Sequence, residues 1–81
     1  MAILSEKIEG TIIEVLIESS NLKSATYNTE SSNLLITFNS GSIYEYNNVP
    51  WEKFTKFRMA KSQGKYFNEN ISKSYNYTKI G

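Results

Sequence analysis

Apolar and polar residues alternate over the first half of the chain, and this alternation predicts β-strands. In the segment 11–18 (TIIEVLIE), isoleucine and valine occupy the odd positions from 13 onward, while glutamate stands at two of the even ones. Three shorter segments with strand-like composition follow at 22–27, 34–38 and 42–47. Serine, asparagine and glycine separate these segments, as is typical of turns. The first half of the chain therefore predicts four strands.

The last two of these strands predict a hairpin with a defined register. A two-residue turn would place Glu45 on the same face as Ile36. A three-residue loop with Gly41 in the left-handed conformation would instead pair Phe38 with Ser42. In that second register the apolar residues share one face, namely Leu34, Ile36, Phe38, Tyr44 and Tyr46. We therefore predict the three-residue loop, with the tyrosine face buried and the glutamate side exposed.

The pattern changes at Pro50, after which aromatic and basic residues recur at helical spacing. Proline suits the first turn of a helix, and a helix over 50–61 places five residues within one arc. These residues are Trp51, Phe54, Phe57, Arg58 and Lys61. The three aromatic residues predict a stripe that faces the core. Ser62 suits the N-cap of a second short helix ending at Ile71, and residues 75–80 predict a final short strand or an ordered tail.

These elements predict an α+β domain, a four-stranded, mainly antiparallel sheet with two helices packed on one face. Residues 1–11 are interpreted as an N-terminal extension and residues 12–81 as a single domain. The sheet face away from the helices would keep apolar residues such as Leu35 and Ile43. A small sheet often covers such a face against a second copy, so we expect a homo-oligomer, most simply a dimer.

The composition excludes several classes of protein. Its 81 residues include no cysteine and no histidine, which argues against disulfides, a metal site and a histidine base. We therefore expect no cofactor and no metal. The first ten residues are too polar for a signal peptide, and no apolar run approaches the length of a membrane span. A cytoplasmic protein with no membrane partner is expected.

The formal net charge of +1 hides an asymmetry between the two halves of the chain. Residues 1–50 contain two lysines and six glutamates, a balance of −4, whereas residues 51–81 contain seven lysines and arginines and two glutamates, a balance of +5. A basic C-terminal half favours an anionic partner, although a solvated helix face explains the same charges.

The segment 60–68 (AKSQGKYFN) contains the strongest candidate for a binding site. One helix ends here and another begins, so that first-turn N–H groups and nearby lysines suit an anion. The candidate ligand-binding residues are Arg58, Lys61, Ser62, Gly64, Lys65, Tyr66 and Asn68, together with the turn residues Ser19, Ser20 and Asn21. Capping and helix termination explain Ser62 and Gly64 without a ligand.

Four spaced motifs cover most of residues 12–77. They are Ser19-Ser20-Asn21-Leu22, Ala25-Thr26-Tyr27, Leu34-x-Ile36-x-Phe38-x-x-Gly41-x-x-Tyr44-x-Tyr46-x-x-Val49-Pro50 and Ala60-x-Ser62-x-Gly64-x-Tyr66-Phe67-Asn68-x-x-Ile71. This order resembles the KTSC domain, which occurs at the C-terminus of some lysyl-tRNA synthetases and as small free-standing bacterial and phage proteins. One departure is Thr26, where the family has glycine before the tyrosine. The occurrence in synthetases implies contact with RNA or a nucleotide. The resemblance does not imply any particular biochemical activity.

Binding is favoured over catalysis by the residues available. A nucleophile pair of Ser62 and Lys65 is conceivable, but no base, oxyanion hole or metal set is recognisable. Tyrosines at 66, 75 and 77 interleave with lysines, as in proteins that stack nucleic-acid bases. We therefore expect a non-catalytic module for an anionic nucleotide-like small molecule or RNA, with a phage-encoded, ligand-sequestering role for a free-standing copy. The alternatives are a protein–protein interaction domain with an exposed aromatic surface and, third, a small enzyme.

Overall fold

The computed structural model describes residues 2–81, which form one antiparallel sheet and two helices. The elements in chain order are β1 (Ala2–Glu9), β2 (Ile12–Glu18), β3 (Leu22–Asn28), β4 (Asn33–Phe38), β5 (Ile43–Tyr46), α1 (Trp51–Met59), α2 (Gln63–Asn70) and β6 (Tyr77–Lys79). The six strands lie side by side in chain order, and each neighbouring pair is antiparallel. No helix in this described range is both long and apolar enough to cross a membrane.

The α+β class is confirmed, but the prediction of four strands was wrong, because the sheet has six. The predicted strands are present as β2 to β5, and each edge of the sheet carries one more. Strand β1 comes from the segment 1–11 that was interpreted as an extension; Met1 of that segment lies outside the described residues. Strand β1 pairs with β2 from Ala2 to Glu9, and the register of this pairing shifts between Ile3 and Ser5. Strand β6 lies in the segment 75–80, where a strand or a tail was left open.

The edge strands lack the pattern that identifies a half-buried strand. From Leu4 onward the side chains of β1 are exposed, and all three side chains of β6 are exposed. A strand that buries little on either face has no reason to alternate between apolar and polar residues. Whether these two segments form strands is therefore determined by hydrogen bonds to a neighbouring strand and not by the local sequence.

The predicted hairpin register between β4 and β5 is confirmed. Tyr44 lies opposite Ile36, and the backbone N–H of Phe38 donates to the carbonyl oxygen of Ser42 at 2.9 Å. Gly41 has φ of +97°, the left-handed conformation that the three-residue loop requires. Glu45, expected on an exposed face, is half-buried because β6 pairs alongside it.

Both helices contribute to one apolar core against a single face of the sheet. The buried core residues are Ile13, Val15, Ile17, Leu22, Ala25, Tyr27, Leu34, Ile36, Tyr46, Val49, Phe54, Phe57, Phe67 and Ile71. From α1, Phe54 and Phe57 are fully buried as predicted, whereas Trp51 is 49% exposed. Trp51 is the first residue of α1, and its ring covers the edge of the core, 6.0 Å from the ring of Tyr27.

Candidate functional site

The first turn of α2 packs closely against the turn that joins β2 to β3. Gly64 is buried in this contact, and a β-carbon placed on it would lie 2.8 Å from Oδ1 of Asn21. The turn holds its own shape, because the Ser19 hydroxyl donates to Asn21 Oδ1 at 3.0 Å and accepts from the N–H of Leu22 at 3.4 Å. Glycine at position 64 therefore allows two polar segments, far apart in sequence, to meet.

A cavity of about 530 Å³, the polar cavity, lies where these two segments meet. Its lining residues are Ser20, Asn21, Ser62, Gly64, Lys65, Asn68 and Glu69. Six of them are residues that the sequence analysis proposed as candidates, and Ser19 supports the wall from behind through its bond to Asn21. The structure thus brings the Ser-Ser-Asn turn and the Ser-x-Gly-Lys segment to one place, although their side chains are some forty positions apart.

The polar cavity opens at the N-terminus of α2. Ser62 is the N-cap, and its hydroxyl accepts from the backbone N–H of Lys65 at 3.2 Å. The partial positive charge of a helix N-terminus adds to that of the lysine ammonium. Glu69 lies on the same rim, one turn further along α2, and its carboxylate opposes that charge. The wall therefore combines one cation, one anion and a set of neutral hydroxyl and amide groups.

A second cation is supplied by the adjoining lysine cavity, which has a volume of about 210 Å³. It is lined by Ala60, Lys61, Ser62, Lys65, Tyr66 and Glu69, and so shares three residues with the polar cavity. The Tyr66 hydroxyl is buried and has no hydrogen-bond partner within the described part of the chain. Lys61 and the Tyr66 hydroxyl thus lie beside the polar cavity, next to Lys65 of its wall.

Arg58, also a candidate ligand-binding residue, lies elsewhere. Its guanidinium donates to the carboxylate of Glu6 at 2.7 Å. Its Cζ lies 5.0 Å from the ring centre of Trp51 and 4.9 Å from that of Phe54. Arg58 lines neither the polar cavity nor the lysine cavity. Its position on α1 faces β1, so it connects the N-terminal strand to the helix layer.

The aromatic cavity, of about 350 Å³, was not anticipated as a site. It is lined by Phe38, Ser40, Ser42, Tyr44, Tyr46, Phe67, Asn68 and Ser72. Three of its aromatic residues, Phe38, Tyr44 and Tyr46, were predicted on the core side of the hairpin. The sequence signal that could have found the cavity is the serine-rich loop 39–42 beside that aromatic face.

The Tyr46 hydroxyl in this wall is held in its neutral form. Burial raises the pKa of Tyr46 to about 12, and the neighbouring phenols of Tyr77 and Tyr44 add to the increase. A phenol is already protonated at neutral pH at its ordinary pKa of 10.0, and this increase extends the protonated, hydrogen-bond-donating form further into alkaline solution.

Comparison with known proteins places this arrangement in context. Residues 18–75 match the family model of the KTSC domain. An uncharacterized protein of Stutzerimonas stutzeri (strain A1501) is 36% identical over 67 residues, which cover 82% of this chain and 94% of that protein. The lysine–tRNA ligase of Nostoc sp. (strain PCC 7120) is 35% identical over 63 residues, which cover 78% of this chain but 11% of the ligase. The crystal structure of a KTSC domain protein from Yersinia pestis superposes with a TM-score of 0.81 at 28% identity, covering 86% of this chain and 99% of that one.

Proposed function

The chain belongs to the KTSC domain family, and we propose that it is a non-catalytic module that binds a nucleotide-like or nucleic-acid anion. The observation that carries this proposal is the meeting of the Ser-Ser-Asn turn with the N-terminus of α2 at the polar cavity. Lys65 supplies charge inside that cavity, and Lys61 supplies charge in the lysine cavity beside it. The ligand therefore meets donors from two elements at once.

The chemistry of the wall suits a phosphate group. N-termini of helices bind phosphates because backbone N–H groups and the helix dipole both favour negative charge. Ser20, Asn21 and Asn68 add hydroxyl and amide groups that can hydrogen-bond to oxygen atoms. The lysines outnumber the one carboxylate when the polar and lysine cavities are taken together. A volume of about 530 Å³ is within the range of sites for small ligands.

The similarity to lysine–tRNA ligases also supports a nucleic-acid partner. The matching segment makes up about a tenth of the Nostoc ligase, so this chain is similar to only a small part of that enzyme. A small domain attached to an enzyme that handles tRNA would act well as an accessory contact for a polyanion. On this basis a free-standing copy holds a nucleotide or an RNA segment and leaves it chemically unchanged.

Replacing Lys65 with alanine tests the site. We expect Lys65→Ala to weaken binding of a short single-stranded RNA about tenfold, roughly 1.4 kcal/mol, and to flatten its salt dependence. Lys53→Ala is the matched control, since it removes the same charge from α1 at a position that lines none of the three cavities described above. Fluorescence anisotropy with a labelled oligonucleotide at several salt concentrations measures both effects.

Two outcomes would contradict the proposal. Equal weakening by Lys65→Ala and Lys53→Ala would mean that the charge acts as a diffuse field without a defined site. If neither RNA nor nucleotide bound at low salt, the alternative of a protein–protein interaction domain would be favoured. Such docking through aromatic surface would show little salt dependence.

The expected homodimer stays a prediction. On the sheet, large exposed apolar side chains lie at both edges, with Leu4 and Ile8 on β1 and Leu16 on β2 at one edge, and Tyr77 on β6 and Ile80 just after it at the other. On the face turned away from the helices, Glu14 and Glu45 interrupt the apolar residues. Any second copy is therefore expected at an edge of the sheet. Sedimentation at micromolar concentration that gave only the 9.3 kDa of one chain would contradict the dimer.

A further inference from the structure

We propose that the aromatic cavity binds the base of a nucleotide whose phosphate lies in the polar cavity. This inference rests on the proposed function and specifies its ligand as a nucleoside monophosphate unit. The unit is either a free nucleotide or one residue of a single strand, since the two share the same base, sugar and phosphate.

The aromatic cavity has ring faces and ring edges in fixed positions. The ring of Phe38 meets those of Tyr44 and Phe67 edge-on, with centroid distances of 5.6 Å and 5.7 Å. Tyr46 meets Phe67 at 5.4 Å and an interplanar angle of 85°. Tyr46 and Phe67 are buried and held by the core, whereas Phe38 and Tyr44 are only partly buried. A planar ligand ring can therefore stack on one exposed ring and meet the edge of another.

Asn68 connects the two cavities, because it lines both of them. It follows Phe67 of the aromatic wall, and it lies about one turn beyond Gly64 and Lys65 of the polar wall. A ligand lying along this side of α2 would touch aromatic rings at one end and Lys65 at the other. The Asn68 side chain between them has donor and acceptor atoms suited to a sugar hydroxyl.

The charges of the two cavities match the two ends of a nucleotide. Among the described residues, no charged side chain lines the aromatic cavity, whereas the polar cavity contains Lys65 and the N-terminus of α2, opposed in part by the carboxylate of Glu69. Ser40, Ser42 and Ser72 bring hydroxyls to the aromatic rim, where they can donate to or accept from the edge of a base. These hydroxyls suit a ring that carries its own hydrogen-bonding groups better than they suit an aliphatic ligand. Stacking of a base on an aromatic side chain contributes about 1–3 kcal/mol.

Calorimetric titration with AMP, ribose 5-phosphate and inorganic phosphate separates the two halves of the site. We expect AMP to bind at least tenfold more tightly than ribose 5-phosphate, because only AMP carries a base. Tyr44→Leu keeps an apolar side chain but removes the aromatic ring, and should weaken AMP about tenfold while leaving ribose 5-phosphate unchanged. Trp51→Leu is the control, since Trp51 is an aromatic residue, 49% exposed, that lines none of the three cavities. Lys65→Ala should weaken all the phosphate-bearing probes.

The outcomes distinguish this inference from the proposed function. If AMP and ribose 5-phosphate bound equally, and Tyr44→Leu had no effect, the base subsite would be refuted while the anion site stood. If none of the probes, nor a short oligoadenylate, bound at low salt, the proposed function itself would fail. Binding of oligoadenylate much more tightly than AMP would identify a single strand as the source of the nucleotide unit, and equal binding would identify a free nucleotide.

Discussion

Replacing Tyr27 with alanine is expected to lower the free energy of unfolding by about 3–5 kcal/mol. Tyr27 is 1% exposed, and its ring stacks on that of Phe54 with a centroid distance of 4.5 Å and an interplanar angle of 10°. Its hydroxyl donates to the carbonyl oxygen of Val49 at 2.7 Å. One side chain of the sheet therefore holds both α1 and the segment before it, and removing it leaves a cavity and an unpaired carbonyl.

Two further variants make this prediction specific. Tyr27→Phe keeps the ring and removes only the hydroxyl, so we expect a loss of roughly 1–2 kcal/mol from the unpaired Val49 carbonyl. Met59→Ala is the surface control, because Met59 is 79% exposed and should change stability by less than about 0.5 kcal/mol. Urea unfolding followed by circular dichroism gives all three values, and Tyr27→Phe stays informative if the alanine variant fails to fold. A Tyr27→Ala value equal to that of the control would contradict this account of the core.

Arg58→Ala is expected to lower the free energy of unfolding by about 2 kcal/mol and to leave nucleotide binding unchanged. The side chain of Arg58 is 17% exposed and pairs with Glu6, whose side chain is 37% exposed. It also covers the rings of Trp51 and Phe54, and both the cationic head and the apolar stem contribute to such contacts. The decrease in the free energy of unfolding comes from lost packing and from a lost charge-assisted hydrogen bond, both at the contact between β1 and α1.

Comparison with Glu6→Gln separates the two parts of this effect. That variant removes the negative charge but leaves Arg58 on its aromatic rings, so we expect the smaller loss, less than about 1 kcal/mol. Denaturant unfolding measures stability, and titration with AMP or a short RNA measures binding. If Arg58→Ala left stability unchanged and weakened ligand binding, Arg58 would belong to the binding site, as its predicted position on the same helical arc as Lys61 suggested.

Local periodicity was sufficient for the elements that are buried on one side. Strand β2 shows strict alternation of buried and exposed positions, and α1 buries Phe54 and Phe57 at a spacing of three. The hairpin register followed from the same reasoning, because only one loop length groups Ile36 with Tyr44 on the buried face. These features depend on residues within about ten positions of one another, so one stretch of sequence contains the information.

The candidate site was only partly accessible to such reasoning. A capping serine followed by glycine and lysine marked the N-terminus of α2, and Ser62 does cap that helix. The aromatic cavity was missed because Phe38, Tyr44 and Tyr46, which line it, also belong to the apolar face of the hairpin. The aromatic cavity forms only because Phe67 of α2 packs beside Phe38 and Tyr46 of the sheet.

The sequence by itself determined the class of fold, the four inner strands with their hairpin register, the two helices and the segment at which α2 begins. The tertiary structure alone decided that β1 and β6 complete the sheet, since exposed edge strands carry no burial pattern. It also decided that the side chain of Asn21 meets Gly64, and that Arg58 pairs with Glu6 and lines neither of the cavities that hold Lys61 and Lys65. The physical reason is that backbone pairing at a sheet edge and contacts between residues distant in sequence leave no periodic pattern, because periodicity records which face of an element is buried but not which element lies against it.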